Sequence, residues 1–354
     1  MLSFYRHKLN TLLSNDIGID LGTANTLVYV RGRGIVINEP SVVALNQKTN
    51  RLVAVGTEAK QMMGRTPLHV RVVKPLVEGV ISDFEVAEEM LAYLLNKAQK
   101  LDRRFRGPRV VIGVPSGITN VESRAVRDAA RNAGARQVHI VEEPMAAAIG
   151  IKLPVSSPVG SMIVDIGGGT TDIAIISLGG IVKSRNVRIA GDKLDADIVA
   201  YIRDEFKMLI GEKTAEQLKL AIGSALPLEE PLEAPVRGRD LVSGLPRELS
   251  ITDADIRDAT ARSLAELVEQ SRETIETAPP EIVADIMRRG VHLTGGGALL
   301  RGLPEFFQAA LKLPVHVADD PLSAVVRGTG VILEHFQEFS DMLQDSEEAL
   351  PVPR

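Results

Sequence analysis

The chain of 354 residues is 45% hydrophobic and 25% charged, which is an ordinary globular composition, and its length suggests about two domains. It has no cysteine, which excludes disulfides and thiolate metal sites, and its six histidines are scattered without a zinc-binding spacing. The formal net charge of −5 and the lack of tryptophan give no general attraction to nucleic acid, so we expect no nucleic-acid partner.

The first segment, residues 1–14, is amphipathic when it is projected as a helix. Its apolar side chains fall within an arc of roughly 120°, with basic side chains outside the arc. Such a helix can lie in a membrane interface, and the alternatives are a short helix packed on its own domain or a frayed end. The proposed membrane-facing side chains are Leu2, Tyr5, Leu9, Leu12 and Leu13.

The next stretch alternates strands with helices. "NDIGIDLGTANTLVYVRGRGIVINEPSVVAL" predicts three strands joined by turns, and "DFEVAEEMLAYLLNKAQK" predicts a helix capped by Asp83. "RVVIGVPSG" predicts a buried strand, "ITNVESRAVRDAARNAGA" a helix ending near Gly134, and "QVHIVEEPMAAAIG" a strand leading into a small-residue helix. This alternation predicts an α/β domain with mixed or parallel sheets.

The second half opens in the same way as the first. "SMIVDIGGGTTDIAIISLGGIVKSRNVRIAG" again predicts three strands, and "DKLDADIVAYIRDEFKMLIG" and "TAEQLKLAIG" predict helices. A hairpin is expected within "ALPLEEPLEAPVRGRDLVSGLPREL", then a long helix capped at Thr252 or Asp253, and then a strand, a glycine loop and a helix in "GVHLTGGGALLRGLPEFFQAAL". The repeat predicts two duplicated domains that face each other across a cleft.

Both openings end an apolar strand in an aspartate, Asp20 or Asp165, followed by glycine and small polar residues. Glycines such as Gly22 and Gly167 can adopt positive φ and bring backbone amides close to an anion. The aspartates would repel phosphate, unless a divalent cation lies between them. Mg²⁺ keeps several waters and is commonly shared with substrate phosphates. The pattern predicts a site for an oligophosphate with Mg²⁺, although each turn alone could be a simple hairpin.

Two other motifs have competing interpretations. The loop "LTGGGALLRG" could let a base and ribose lie against its backbone, or it could be a tight strand-to-helix connection. Glu142 and Glu143 end an apolar strand and could orient an attacking water, or they could simply be carboxylates favoured at a helix N-terminus.

These motifs resemble those of the actin, Hsp70 and sugar-kinase ATPase superfamily. More narrowly, "GIDLGTANTLVYVRGRGIVINEPSVVA", "VPSGITNVESRAV", "AGDKLD" and "ADDPLSAVVRGTG" resemble MreB, the family of bacterial actin homologues, from about residue 15 to residue 336. The resemblance implies an α/β fold with two related RNase H-like domains, in four subdomains, around a cleft that binds ATP and Mg²⁺.

The resemblance also implies roles for individual residues. Glu143 would position the attacking water, and Asp20 and Asp165 would contact Mg²⁺ through water. The β- and γ-phosphates would be held by Gly22, Thr23, Ala24, Asn25, Gly167, Gly168, Gly169, Thr170 and Thr171, with Asp192 facing the nucleotide. The adenosine would be surrounded by Glu212, Lys213, Thr214, Ala215, Gly295, Gly296, Gly297, Ala298 and Leu299.

The same resemblance implies a domain plan. The first domain covers residues 15–150 and 320–338, with a small subdomain at about 34–68, and the second covers 151–319, with a small subdomain at about 185–250. Residues 339–354 are acidic and predicted to be a disordered tail. Two departures from the family are the aspartate Asp172, where glutamate is more usual, and the alanine Ala190 that opens "AGDKLD".

As a member of this family the chain would be a slow ATPase that assembles into paired protofilaments at the inner face of the cytoplasmic membrane. It would organise the cell-wall elongation machinery that maintains rod shape. A second membrane contact is predicted at Leu101 and Phe105, which lie among arginines, although that cluster could also be a solvated loop.

Alternative functions are a filament for plasmid or organelle positioning, an Hsp70-like chaperone and a sugar kinase. The chaperone would need a substrate-binding domain after residue 336, and the kinase a second base for its acceptor.

Overall fold

The computed structural model describes residues 16–100 and 107–344. Its strands are β1 (Ile17–Leu21), β2 (Asn25–Val30), β3 (Gly34–Pro40), β4 (Val43–Asn46), β5 (Leu52–Val55), β6 (Val70–Val73), β7 (Leu76–Val77), β8 (Val80–Ile81), β9 (Arg109–Val114), β10 (Gln137–Glu142), β11 (Ser161–Ile166), β12 (Thr171–Ser177), β13 (Gly180–Val187), β14 (Met208–Leu209), β15 (Glu233–Asp240), β16 (Pro246–Thr252), β17 (Val291–Thr294) and β18 (Val315–Val317).

The helices of the described chain are α1 (Thr57–Met62), α2 (Phe84–Gln99), α3 (Asn120–Asn132), α4 (Glu143–Gly150), α5 (Gly191–Phe206), α6 (Glu212–Ile222), α7 (Asp253–Glu276), α8 (Pro280–Arg289), α9 (Leu303–Leu311), α10 (Ala324–Glu334) and α11 (Phe336–Phe339). Short 3₁₀ turns cover Gly296–Leu299, Pro321–Ser323 and Ser340–Met342. Among residues 16–100 and 107–344, no helix is both long and apolar enough to cross a bilayer.

The chain divides into two compact units. Unit 1 contains the described residues of Met1–Val114, Ile118–Gly150 and Val325–Arg354, and unit 2 contains Pro115–Gly117 and Ile151–Ala324. Each unit has its own apolar core around a five-stranded sheet. Each also has a separate three-stranded sheet, made of β5, β4 and β6 in unit 1 and of β14, β15 and β16 in unit 2.

The two five-stranded sheets have the same topology. The order in unit 1 is β10-β9-β1-β2-β3, and in unit 2 it is β18-β17-β11-β12-β13. In both, the first three strands in sequence form antiparallel pairs, and the two later strands add in parallel beside the first. Even the register shift in the pairing of the second and third strands recurs. The predicted duplication is therefore confirmed at the level of topology.

Local capping explains where several helices begin. The Asp83 side chain accepts from the Val86 amide at the start of α2, as predicted. Thr252 caps α7 in a reciprocal box with Asp255, which decides between the two caps that the sequence allowed.

Two boundaries differ from the sequence prediction. The helix predicted through Gly211 ends at Phe206, because Lys207 is left-handed with φ of 54° and the next two residues pair with β15 as strand β14. The predicted disordered tail from residue 339 begins too early. Phe339 and Leu343 are buried, and residues 336–344 pack on unit 1. Residues 345–354 lie outside the described chain.

Candidate nucleotide site

In unit 1, Asp20 and Glu143 lie at the same edge of the sheet. Asp20 pairs with Gly113 across the parallel strands β1 and β9, and Glu143 follows β10, the next parallel strand. A Cβ atom on Gly113 would be 3.5 Å from the Cγ of Glu143. The carboxyl ends of neighbouring parallel strands thus place both predicted acids around one glycine.

The turn from Gly22 to Asn25 is held tightly by its surroundings. A Cβ on Gly22 would lie 2.6 Å from the Asn25 carbonyl oxygen, and the Ser41 hydroxyl donates to the Gly22 carbonyl at 2.5 Å. Thr23 is buried, and its hydroxyl oxygen accepts from the Gly79 amide at 3.1 Å, which leaves the hydroxyl hydrogen for another acceptor. Ala24 completes the turn, and Asn25 begins β2.

The corresponding turn in unit 2 follows Asp165. The Gly167 amide donates to the Thr170 carbonyl at 2.9 Å. Two further amides at the start of α5 donate back to the turn, Gly191 to the Gly167 carbonyl and Asp192 to the Gly168 carbonyl, at 3.1 and 2.7 Å. Asp192 therefore lies directly against the predicted phosphate turn, which includes Gly169.

Gly22 and Gly167 serve close packing rather than positive φ. Neither Gly22 nor Gly167 has positive φ, contrary to the reason expected from the sequence, and a Cβ on Gly167 would lie 3.1 Å from the Thr170 carbonyl oxygen. Two of the three threonines predicted to hold phosphate, Thr23 and Thr171, also differ. Thr171 is fully buried and donates its hydroxyl hydrogen to the Ile189 carbonyl at 2.6 Å, so that hydrogen is not available to a phosphate.

Asp165 is a buried carboxyl with two close polar neighbours. The Thr294 hydroxyl donates to its Oδ1 at 3.1 Å, and Asp172 is its cross-strand partner. Burial, together with the charge of Asp172, raises the pKa of Asp165 to about 7. Asp172 itself accepts from the Ser116 amide at 2.7 Å and from the Asn186 side-chain amide at 3.1 Å.

The raised pKa predicts how the ligand-free protein responds to pH. The folded state holds this proton more tightly than the unfolded chain, so stability falls as pH rises toward 7. We expect Asp165→Asn to remove on the order of 2 kcal/mol of the fall between pH 5 and pH 7, measured by urea unfolding in EDTA. Asp258→Asn, at an exposed carboxyl of α7, is the control. Parallel pH profiles for wild type and Asp165→Asn would contradict the prediction.

The glycine loop after β17 is largely a tight connection. A Cβ on Gly295, whose φ is +77°, would lie 2.3 Å from the Ile166 carbonyl oxygen. A Cβ on Gly297 would lie 2.2 Å from the Ile166 side chain. Gly296 packs against Leu322 and Ala298 is buried, whereas Leu299 is 55% exposed. The requirement for a tight strand-to-helix connection, the alternative interpretation of this loop, therefore accounts for Gly295 and Gly297.

The predicted adenosine motif forms the first turn of α6. Glu212 and Lys213 are exposed, Thr214 is half-buried, and Ala215 is fully buried in the core of the small sheet. The side chain of Ala215 therefore serves packing. The predicted membrane side chains, Leu2, Tyr5, Leu9, Leu12, Leu13, Leu101 and Phe105, lie outside the described residues.

Lys219 is a candidate site residue that the sequence analysis did not single out. It lies one turn beyond Ala215 on α6, donates to the Gly191 carbonyl at 2.8 Å, and pairs with Asp195 at 2.8 Å. It thus joins the helix of the predicted adenosine motif to the backbone that supports the predicted phosphate turn. The signal available in the sequence was a lysine between the buried positions Leu218 and Ile222.

The repeated sheet, with an acid-ended strand and a tight glycine turn in each copy, defines an actin-like protein. The structure is similar to that of the MamK double helical filament, with a TM-score of 0.77 at 23% identity, covering 91% of this chain and 99% of that chain. It is also similar to MreB5 of Spiroplasma citri bound to ADP, with a TM-score of 0.88 at 41% identity, covering 93% and 98%.

The family model for MreB/Mbl protein matches residues 14–341. The chain is 47% identical over 327 residues to the cell shape-determining protein Mbl of Bacillus subtilis, covering 92% of this chain and 98% of the relative. It is 50% identical over 331 residues to the cell shape-determining protein MreB of Escherichia coli K12, covering 92% and 95%. The chain belongs to the MreB/Mbl family.

Proposed function

We propose that this chain binds and slowly hydrolyses ATP and polymerises into membrane-associated filaments that organise cell-wall synthesis and maintain rod shape. The observation that carries the proposal is the acid-ended glycine turn at the same topological position in both units. Family membership supports it, because the 41%-identical MreB5 of Spiroplasma citri has been solved with ADP and with AMPPNP.

Within this proposal, the turns bind the phosphates mainly through backbone amides. The Thr23 hydroxyl donates to a phosphate oxygen, and Asp192 faces the nucleotide from the start of α5. Glu212 and the loop after β17 contact the adenosine. Lys219 keeps α6 in register with the phosphate turn through the Gly191 carbonyl. Rigid donors of this kind stabilise developing charge without reorganising during the reaction.

Asp20 and Asp165 fit a hydrated Mg²⁺, because hard oxygen donors suit this ion and Asp165 is a buried carboxyl beside a second acid. The ion would neutralise phosphate charge when bound. Glu143 stands at the start of α4, at the same sheet edge as Asp20. It accepts a hydrogen bond from the attacking water and orients it.

Filament assembly requires surfaces that fit a second copy, and unit 2 exposes two candidates. The turn between β15 and β16 carries Leu241, Val242 and Leu245, which are 45%, 86% and 65% exposed. A groove of about 650 Å³ lies between α9 and β18. It is lined by Glu305, Gln308, Ala309, Lys312, Leu313, Pro314, Val315 and His316. An apolar projection that enters a groove on the next copy gives a head-to-tail contact, which can propagate into a filament.

We therefore expect Val242→Glu to reduce assembly sharply while leaving ATP binding unchanged, because the buried contact would then contain an unpaired charge. Leu220→Glu is the matched control, since Leu220 is 68% exposed on α6 and does not belong to this turn. The measurement is the fraction of protein that sediments with ATP and Mg²⁺. Equal sedimentation of Val242→Glu and Leu220→Glu would show that the turn does not take part in the filament contact.

Membrane association is proposed for residues 1–14 and for Leu101 and Phe105, on sequence pattern and family resemblance. A filament would repeat these weak contacts and so gain avidity. The cell-wall elongation machinery is proposed as a partner on the basis of family membership alone.

The whole proposal is tested by incubating the purified chain with ATP and Mg²⁺, with and without anionic liposomes, and following phosphate release, sedimentation and electron micrographs. Paired protofilaments on liposomes support it. A soluble monomer that transfers phosphate to a sugar would contradict the proposal. Filaments that form without binding liposomes would favour a role in plasmid or organelle positioning.

A further inference from the structure

The segment 336–344, here called the C-terminal strap, lies along β10. That strand is the edge of the five-stranded sheet of unit 1 and leads directly into Glu143. An exposed strand edge presents unpaired backbone groups, which a covering segment can pair or shield. The strap contacts β10 through its first residue, Phe336, and its last, Gln344.

The strap is fixed at its beginning by an aromatic ring. The Phe336 ring meets the His139 ring edge-on, with 4.8 Å between centroids. The Arg109 guanidinium stacks over the same ring at 4.0 Å and also pairs with Asp16 at 2.6 Å. Phe339 is buried further along. The start of the strap is therefore anchored to β9 and β10 independently of its end.

The other end of the strap reaches the acidic pair at the end of β10. The Gln344 amide donates to the Ile140 carbonyl at 2.8 Å, and the Gln344 carbonyl accepts from the Arg127 guanidinium of α3. The Gln344 side-chain Nε2 donates to the Glu142 carboxylate at 3.2 Å. The backbone and the side chain of Gln344 therefore both bind residues of β10 just before Glu143.

We propose that Gln344 is a positioning residue for ATP hydrolysis, acting through Glu142 on the placement of Glu143. This inference rests on the proposed function, in which Glu143 orients water. Glu142 ends β10 and Glu143 begins α4, so the two carboxylates are adjacent in the chain. The hydrogen bond from Gln344 holds the Glu142 carboxylate at the strap, while the bond to Ile140 holds the strand end from which α4 starts.

The hydrogen bond can be reversed to test this role. In Gln344→Glu two carboxylates face each other, so Glu142 and the strand end are displaced. In the double variant Glu142→Gln/Gln344→Glu the amide and the carboxylate exchange places, and the bond re-forms with opposite direction. Gln337→Glu is the matched control, because it adds the same charge at an exposed position of the same strap.

The measurement is kcat for ATP hydrolysis by the full chain, normalised to the polymer fraction, beside the ATP Kd from calorimetry. We expect Gln344→Glu to lower kcat about tenfold with Kd nearly unchanged, because small misplacements of a water-orienting group are costly. The double variant should recover to within about threefold of wild type, and Gln337→Glu should match wild type.

A purely structural role would lower the thermal midpoint of Gln344→Glu without separating kcat from Kd. Should Gln344→Glu fail to fold, Gln344→Ala takes its place, with the same expected separation. Wild-type kcat in the Gln344 variant, or a double variant slower than Gln344→Glu alone, would overturn the inference. If Glu143→Ala also retains full turnover, the proposed catalytic role of Glu143 is wrong. If only Gln344→Glu retains full turnover, the proposed role of the strap alone is wrong.

Discussion

Replacing Glu143 with alanine is expected to slow ATP hydrolysis by about 10² to 10³-fold, because a positioned carboxylate that orients or deprotonates water contributes on this scale. ATP affinity should stay within about twofold of wild type, since the proposed phosphate contacts come from the glycine turns and not from this side chain. The measurements are single-turnover phosphate release and calorimetric titration with ATP and Mg²⁺.

Glu143→Gln tests whether hydrolysis depends on the charge of this side chain or only on its shape. It retains the length of the side chain but loses the carboxylate, so we expect it to be nearly as slow as Glu143→Ala. The control is Glu89→Ala, at an exposed carboxylate of α2. If Glu143→Ala and Glu89→Ala have equal turnover, Glu143 does not act in hydrolysis. It would then be only a carboxylate favoured at a helix N-terminus, the alternative that the sequence left open.

The second large effect is expected at Gly328, where α10 crosses α4. A Cβ on Gly328 would lie 1.8 Å from the Ala146 carbonyl oxygen, which belongs to helix backbone. The two helices would have to separate, so Gly328→Ala should cost at least about 3 kcal/mol of unfolding free energy. Because α4 begins with Glu143, the separation should also slow hydrolysis in the molecules that remain folded.

Urea unfolding followed by circular dichroism measures the loss in Gly328→Ala. Gly180→Ala is the matched control, because its φ is not positive and its added Cβ would have no neighbour nearer than 3.9 Å. A Gly328→Ala midpoint within error of the Gly180→Ala midpoint would mean that the packing of α10 on α4 tolerates the added methyl group, contrary to expectation.

Features that are encoded locally could be predicted from the sequence. The cap at Asp83 and the long helix after Thr252 depend on a few neighbouring residues, and both were predicted. The duplicated three-strand openings were visible because each has β-branched runs between glycine turns, and the sheets have the same topology. Asp20 and Glu143 were both predicted for the nucleotide site, and the parallel strands place both beside Gly113.

Features that depend on distant partners could not be predicted. The end of α5 is set by pairing of Met208 and Leu209 with β15, about 30 residues away in sequence, which outweighs their helical periodicity. Residues 339–344 of the strap were assigned to a disordered tail because residues 339–354 contain acidic residues and prolines, whereas Phe339 and Leu343 are buried. The need for Gly295 and Gly297 comes from contact with Ile166, which no local pattern reveals.

The central claim is that the acid-ended turns of this chain bind ATP together with Mg²⁺. Isothermal titration calorimetry of the full chain with ATP tests it most directly, once with Mg²⁺ and once with EDTA. We predict saturable binding near one ATP per chain, weaker when Mg²⁺ is removed. A titration with no saturable heat in Mg²⁺, on protein whose folding is verified by circular dichroism, would contradict the account.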